Sequence, residues 1–160
     1  MFKREIFLRK KKTSDLDNHK HLYHEFNHFS LMNKSILLID DDLEEHDIFL
    51  LAIEELADKV SGTAIDNAKI ALQKLETNEL KPDVILLDLN MPVMSGQQFL
   101  VEIKKHKNLG DIPVFIYSTS SHKTTIDLTL QLGAKDFITK PDKLQEMVEL
   151  LSSMTEDVKL

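Results

Sequence analysis

The sequence predicts a doubly wound α/β domain, with a parallel sheet of about five strands alternating with about five helices. Three observations predict it. Short apolar runs rich in Val, Ile and Leu recur along the chain, separated by stretches whose apolar residues fall at helical spacing. The runs lack polar alternation, so they suit strands covered on both faces. The clearest of them stop at polar side chains: Asp40 and Asp41 after Ile36-Leu37-Leu38-Ile39, Asp88 after Val84-Ile85-Leu86-Leu87, Ser118 after Val114-Phe115-Ile116-Tyr117, and Lys140 after Phe137-Ile138-Thr139. Right-handed crossovers through helices make such strands parallel and bring those ends to one edge, where open α/β sheets build their sites.

Residues 1–31 stand apart from this pattern. They carry the run Arg9-Lys10-Lys11-Lys12 and four of the seven histidines, without Pro or Gly. His21, His24 and His28 share one face if the stretch is helical, so a metal site is conceivable there. The plainer readings are a flexible or partly helical extension, or an upstream translated segment, since Met32-Asn33-Lys34-Ser35 makes a natural beginning. The domain is expected over residues 32–155, with 156–160 as a tail.

Ser35 to Ile39 is the first strand. Leu43 to Ala57 is a helix with Ile48, Leu51, Ala52 and Leu56 inward, and Asp42 is its N-cap. Val60 to Ile65 is a weaker strand, and Asn67 caps a helix to about Thr77 with Ile70, Ala71, Leu72 and Leu75 inward. After the turn Leu80-Lys81-Pro82-Asp83 comes the central strand, which ends at Asp88, a carboxylate held up on a loop facing solvent. Met91-Pro92 to Gly96 is turn material, with a Pro that fixes one φ and a Gly that can take φ > 0. Phe99, Leu100 and Ile103 mark the next helix, ended by Asn108-Leu109-Gly110. Ile112 to Tyr117 is the fourth strand, His122 to Leu132 a less amphipathic helix stopped at Gly133, and Asp136 to Thr139 a short fifth strand. Asp142 caps a last helix with Leu144, Met147, Val148 and Leu151 inward.

Composition narrows the function. At 160 residues and 42% hydrophobic, the chain has room for one ordinary domain with a real core. No apolar run approaches bilayer length, and Phe2 to Leu8 is too short and too charged for a signal-peptide core, so a cytoplasmic protein is expected. The absence of cysteine removes disulfides, thiolate chemistry and Cys-type zinc sites. Residues 1–31 hold 7 Lys/Arg against 4 Asp/Glu, and the remainder 13 against 23. A globular part that acidic has no basic face for phosphates, which argues against nucleic-acid binding. It suits a site that concentrates a divalent cation. Carboxylates gathered at one sheet edge repel and raise each other's pKa unless a cation compensates. All are hard oxygen ligands, the set that Mg²⁺ prefers.

The acidic pair after the first strand, Asp-x-x-Met-Pro-x-Met-x-Gly from Asp88 to Gly96, Ser118 after the fourth strand and Lys140-Pro141 after the fifth resemble the receiver domain of two-component response regulators. The resemblance runs roughly from Asn33 to Ser153. It implies a flavodoxin-like sheet in the order 2-1-3-4-5 and a stand-alone phosphoacceptor. Asp88 would take phosphate from a histidine kinase or a histidine phosphotransfer protein. Asp41, Asp88 and the backbone carbonyl of Asn90 would touch Mg²⁺, and Asp40 would hold it through water. Ser118 and Lys140 would bind phosphoryl oxygens, and Pro92, Gly96 and Pro141 would shape the loops. Receivers commonly show a cis bond where Lys140 meets Pro141, although cis is only about 5 to 6% of such bonds in general.

The resemblance also implies a switch, in which Ser118 moves inward, Phe137 fills the space behind it, and the surface of the fourth helix, fifth strand and fifth helix changes its preference for a downstream protein. Three positions depart from the commoner pattern. Ser118 stands where Thr is usual, Thr119 where the residue is usually small, and Phe137 keeps the ring of Tyr without the hydroxyl. Two other readings stay open. A scaffold can keep the fold and bind partners without phosphorylation, and an aspartate-nucleophile phosphatase can use Asp-x-Asp at Asp40 to Asp42. The latter lacks the Thr or Val expected after the second Asp, having Glu44, and lacks room for a cap domain.

Overall fold

The structure, a computed structural model, describes residues 33–120 and 122–157. The expectations for residues 1–31, including the face of His21, His24 and His28, lie outside the described residues. Among the described residues, ten elements alternate in the order β1 Lys34–Ile39, α1 Leu43–Glu55, β2 Val60–Ile65, α2 Ala68–Glu76, β3 Val84–Leu87, α3 Gly96–Lys105, β4 Val114–Ser118, α4 Lys123–Gln131, β5 Asp136–Thr139 and α5 Leu144–Asp157. All neighbouring strands pair in parallel, in the order β2-β1-β3-β4-β5. The registers Ile39↔Leu87 and Leu87↔Ile116 level the carboxyl ends, so the residues that follow share one edge.

Period-two alternation divides the core. Leu37, Ile39, Ile85, Leu87, Val114 and Ile116 face α2 and α3, meeting Ala71, Leu75, Phe99 and Ile103. Ile36, Leu38, Val84, Leu86 and Tyr117 face the other way, onto Phe49 and Ala52 of α1 and Met147 and Leu151 of α5. β3 is buried at every position, as a run covered on both faces requires.

Local chemistry sets the helix starts. Asp42 accepts from Glu44 N at 2.9 Å and Asn67 from Lys69 N and Ile70 N, while Glu44 and Glu45 complement the positive end of α1. Ser95 and Gln98 form a reciprocal capping box at α3, with Ser95 Oγ accepting from Gln98 N and Gln98 Oε1 from Ser95 N.

Several expectations are corrected. On α1 the inward stripe runs through Phe49 and Ala52, with Ile48, Ile53 and Leu56 partly buried, and Leu51 is 50% exposed. Gly62 of β2 explains the rotation, because a Cβ there would collide with Ile53 and Phe49. Filling that gap buries a ring, which contributes roughly 1.5–3 kcal/mol. On α2, Ala68 is buried and Ile70 exposed. β4 begins at Val114, since Pro113 has no N–H to give the ladder, although its carbonyl still accepts from Ile85 N. α5 begins at Leu144 and Met147 N donates to the Lys143 carbonyl, so Lys143 rather than Asp142 stands at its start.

Candidate functional site

The first loop is pinned at both ends. Asp40 N donates to the Ile65 carbonyl of β2, Asp42 N donates to Asp40 Oδ1 at 3.0 Å, and Asp42 is itself the cap of α1. Asp40 therefore points into the molecule, only 1% exposed, while Asp41 is exposed.

The second loop follows β3. Asp88 N donates to the Ile39 carbonyl, and Asp88 Oδ2 accepts from Asn90 N at 2.8 Å. Asp88 was expected to face solvent, but it is 5% exposed, because the chain folds back over it. Gly96 makes that fold possible. Gly96 N donates to the Leu89 carbonyl, and a Cβ on Gly96 would collide with the Asp88 carbonyl oxygen. The glycine is needed for close approach, not for the positive φ expected of it. The positive φ falls on Val93, at 69°, a rare conformation for a β-branched residue. Met91 is buried beneath the loop, and Pro92 is exposed.

Lys140 comes from β5 across the edge. Its ammonium lies 2.6 Å from Asp40 Oδ2 and 3.4 Å from Asp88 Oδ1. The Lys140-Pro141 bond is not cis, as no cis bond occurs among the described residues. Lys140 N donates to the Ser118 carbonyl at 3.1 Å, and trans is in any case the form favoured by about 0.5–1 kcal/mol before proline. Ser118 is buried at the end of β4, its Oγ accepting from Ser120 N at 3.3 Å. Phe137 is partly buried against the α2 and α3 side of the core.

Asp40, Asp41 and Asp88 each offer a carboxylate oxygen, and these lie within 4.8 Å of one another. Burial pushes the Asp40 carboxyl above the usual range, with Asp88 adding repulsion, while pairing with Lys140 and the Asp42 N–H pull the other way. For Lys140, burial disfavours the ammonium, but Asp40, Asp88 and Glu45 outweigh it and hold its pKa above the usual value. Asp40 Oδ2 is buried without a well-directed hydrogen bond, held by charge alone. A buried anionic oxygen left this way, in a set made only of hard oxygens, fits a small divalent cation.

Three side chains beside the site escaped the sequence reading. Tyr117 is fully buried, its hydroxyl donating to Glu45 Oε2 of α1 at 2.8 Å and its ring centroid 5.4 Å from Lys140 Nζ. His46 Nε2 donates to the Asp40 carbonyl at 2.6 Å, since a carbonyl can only accept. A usable signal existed for Tyr117, because a hydroxyl inside an apolar buried run needs a partner. For Glu45 and His46 the acidic outer face of α1 concealed it.

Residues 36–152 match the family described as the response regulator receiver domain. The chain belongs to that family. This receiver is 35% identical over 134 residues to the two-component response regulator ARR3 of Arabidopsis thaliana, a match that covers 78% of this chain and 57% of that protein. Its fold is similar to the phosphorylated cyanobacterial phytochrome response regulator RcpA, with TM-score 0.70 and 28% identity over 78% of this chain and 92% of that one. The Mn²⁺-bound response regulator Rcp1 is equally close in fold, with TM-score 0.70 and 26% identity over 79% and 98%. Among the described residues no helix is long and apolar enough to cross a membrane.

Proposed function

We propose that this receiver accepts a phosphoryl group on Asp88 in a Mg²⁺-dependent reaction, from a histidine kinase or a histidine phosphotransfer protein, and that the modified domain acts through protein contacts. The observation that carries the reading is the meeting of Asp40, Asp41 and Asp88 within 4.8 Å under the ammonium of Lys140. Asp41, Asp88 and the Asn90 carbonyl would hold the cation directly, and Asp40 through water. A cation held by these residues would offset the carboxylate repulsion and supply positive charge against the phosphoryl oxygens.

The protein's own part is positioning. Asn90 N–H occupies Asp88 Oδ2, which fixes the carboxylate and leaves Oδ1 on the Lys140 side. A carboxylate oxygen of Asp88 forms the new bond to phosphorus as the donor's P–N bond breaks, and the departing imidazole nitrogen keeps the electron pair and takes a proton. Lys140 balances one phosphoryl oxygen, and the Ser118 hydroxyl donates to another once it turns from Ser120. Asp42 supports this reading over phosphatase chemistry, because its oxygen is committed to the start of α1.

Output is proposed through the face of α4, β5 and α5. α4 buries only Thr129 and leaves Leu128 and Leu130 exposed, so it is held loosely enough to change its packing. Phe137 on β5 is the aromatic that would follow Ser118 inward. Incubation with Mg²⁺ and acetyl phosphate, followed by intact mass, tests the reading. One added HPO₃ unit that is lost in Asp88→Asn is the expected result. No added mass with the fold intact would contradict it and favour a scaffold that works unphosphorylated.

A further inference from the structure

A lysine is a point charge on a four-carbon stem, and its usefulness depends on what fixes the stem. Lys140 has anions on one side, Asp40 at 2.6 Å and Asp88 at 3.4 Å. Its side chain is 9% exposed, so little water is available to hold it from the other side. What lies there is the face of the Tyr117 ring, its centroid 5.4 Å from Nζ, within the range of a cation–π attraction. Register explains the meeting. Tyr117 pairs with Ile138 across β4 and β5, and Lys140 is two residues beyond Ile138, on the same side of the sheet. The ring cannot turn freely, because its hydroxyl donates to Glu45 on α1 at 2.8 Å. Donation to a carboxylate also enriches the ring's electron density, which strengthens its hold on a cation.

We propose that Tyr117, tethered by Glu45, is a positioning residue for Lys140, keeping the ammonium aimed at the edge where Asp88 receives the phosphoryl group. The proposal rests on the phosphoacceptor function above. It adds to the expected machinery a residue and a helix that the motifs do not contain. The role matters most when a metal draws on Asp40 and Asp88, because Lys140 then loses the anions that hold it and keeps the ring.

Two readouts test it. In the metal-free protein, the proton resonances of the Lys140 ε-methylene and ammonium should carry the upfield shift of a group over an aromatic face. That shift should survive in Tyr117→Phe and vanish in Tyr117→Leu. This readout is independent of phosphorylation. The second is the initial rate of phosphorylation by acetyl phosphate at saturating Mg²⁺, where Tyr117→Leu should slow the reaction by about tenfold and leave half-saturation by Mg²⁺ unchanged. In a Lys140→Met background, Tyr117→Leu should slow it no further. Equal slowing in both backgrounds would mean that Tyr117 acts only by packing, and would overturn the proposal, as would an unshifted Lys140 resonance in the wild type. Should Tyr117→Leu not fold, Glu45→Ala, which removes the acceptor, and Tyr117→Phe, which removes the donor, break the same tether. Each should reduce the rate by about two- to threefold with no additional loss when combined, and unchanged rates in both would overturn the tether. A wild type that shows the resonance shift but takes no phosphate would remove the phosphoacceptor function instead, and the positioning role with it.

Discussion

Asp40 is the most buried anion of the site, and its charge is held there against its environment. Burial favours the neutral acid, so the folded protein keeps the Asp40 proton to a higher pH than the unfolded chain does. Asp40→Asn should therefore raise the metal-free unfolding temperature at neutral pH. The difference from wild type should fade as the pH falls through the raised value towards 3.8, where the wild-type carboxyl becomes neutral as well. Added Mg²⁺ should narrow or reverse the difference, stabilising the wild type more than the variant, which keeps the direct ligands but loses the carboxylate that holds the cation through water. Thermal unfolding of both proteins with and without Mg²⁺, across pH, reads this. A metal-free variant less stable than wild type at neutral pH would show that the pair with Lys140 outweighs burial. Val93 makes a second case at this scale. It is 81% exposed, so its side chain contributes little packing, yet it sits at φ 69°. Val93→Gly should stabilise the domain by about 1 kcal/mol in chemical denaturation, the left-handed strain removed outweighing the entropy of glycine. A loss of stability would show that the entropy of glycine outweighs the strain at this position.

Among the elements, α3 carries the loop that closes over Asp88, and its start is fixed by the Ser95 and Gln98 capping box. Ser95→Ala should reduce stability by about 1 kcal/mol, and Gln98→Ala in addition should take away less than its effect alone, because the two bonds are reciprocal. Equal, additive losses in a double-mutant cycle would argue that the box is not cooperative. How the elements could be read differs with what determines them. Apolar runs and polar stops made β1, β3 and β4 legible, since a strand covered on both faces needs no knowledge of its partners, whereas β2, with Ser61-Gly62-Thr63 at its centre, and β5, exposed at both ends, gave weaker signals. The faces of α1 and α2 were less legible. Phe49 displaced Leu51 from the core because Gly62, on the next strand, leaves room for a ring. Local spacing cannot reveal a vacancy supplied by another element. The depth of Asp88 was hidden for a similar reason. Sequence locates a carboxylate at a strand end, but whether the next loop covers it depends on how closely Gly96 can approach.

At the scale of the whole domain, the carboxyl edge of the sheet gathers Asp40 and Asp41 after β1, Asp88 after β3 and Lys140 after β5 into one charged cluster, with Ser118 buried at the end of β4. The side beyond β4 is the least buried, with Thr129 the one buried residue of α4. Phosphorylation should therefore change amide hydrogen exchange in α4, β5 and the start of α5, while β1 and β3, buried throughout their apolar stretches, stay protected. Exchange altered uniformly over the domain, or nowhere, would contradict a localised switch. The phosphoryl group itself, on the proposed function, sits on Asp88. Borohydride reduces an acyl phosphate of aspartate to homoserine, so treatment of the acetyl phosphate-reacted protein followed by peptide mass spectrometry locates the modified residue directly. Homoserine should appear at position 88 and at no other carboxylate. Homoserine at position 40 or 41, with Asp88 unmodified, would contradict it.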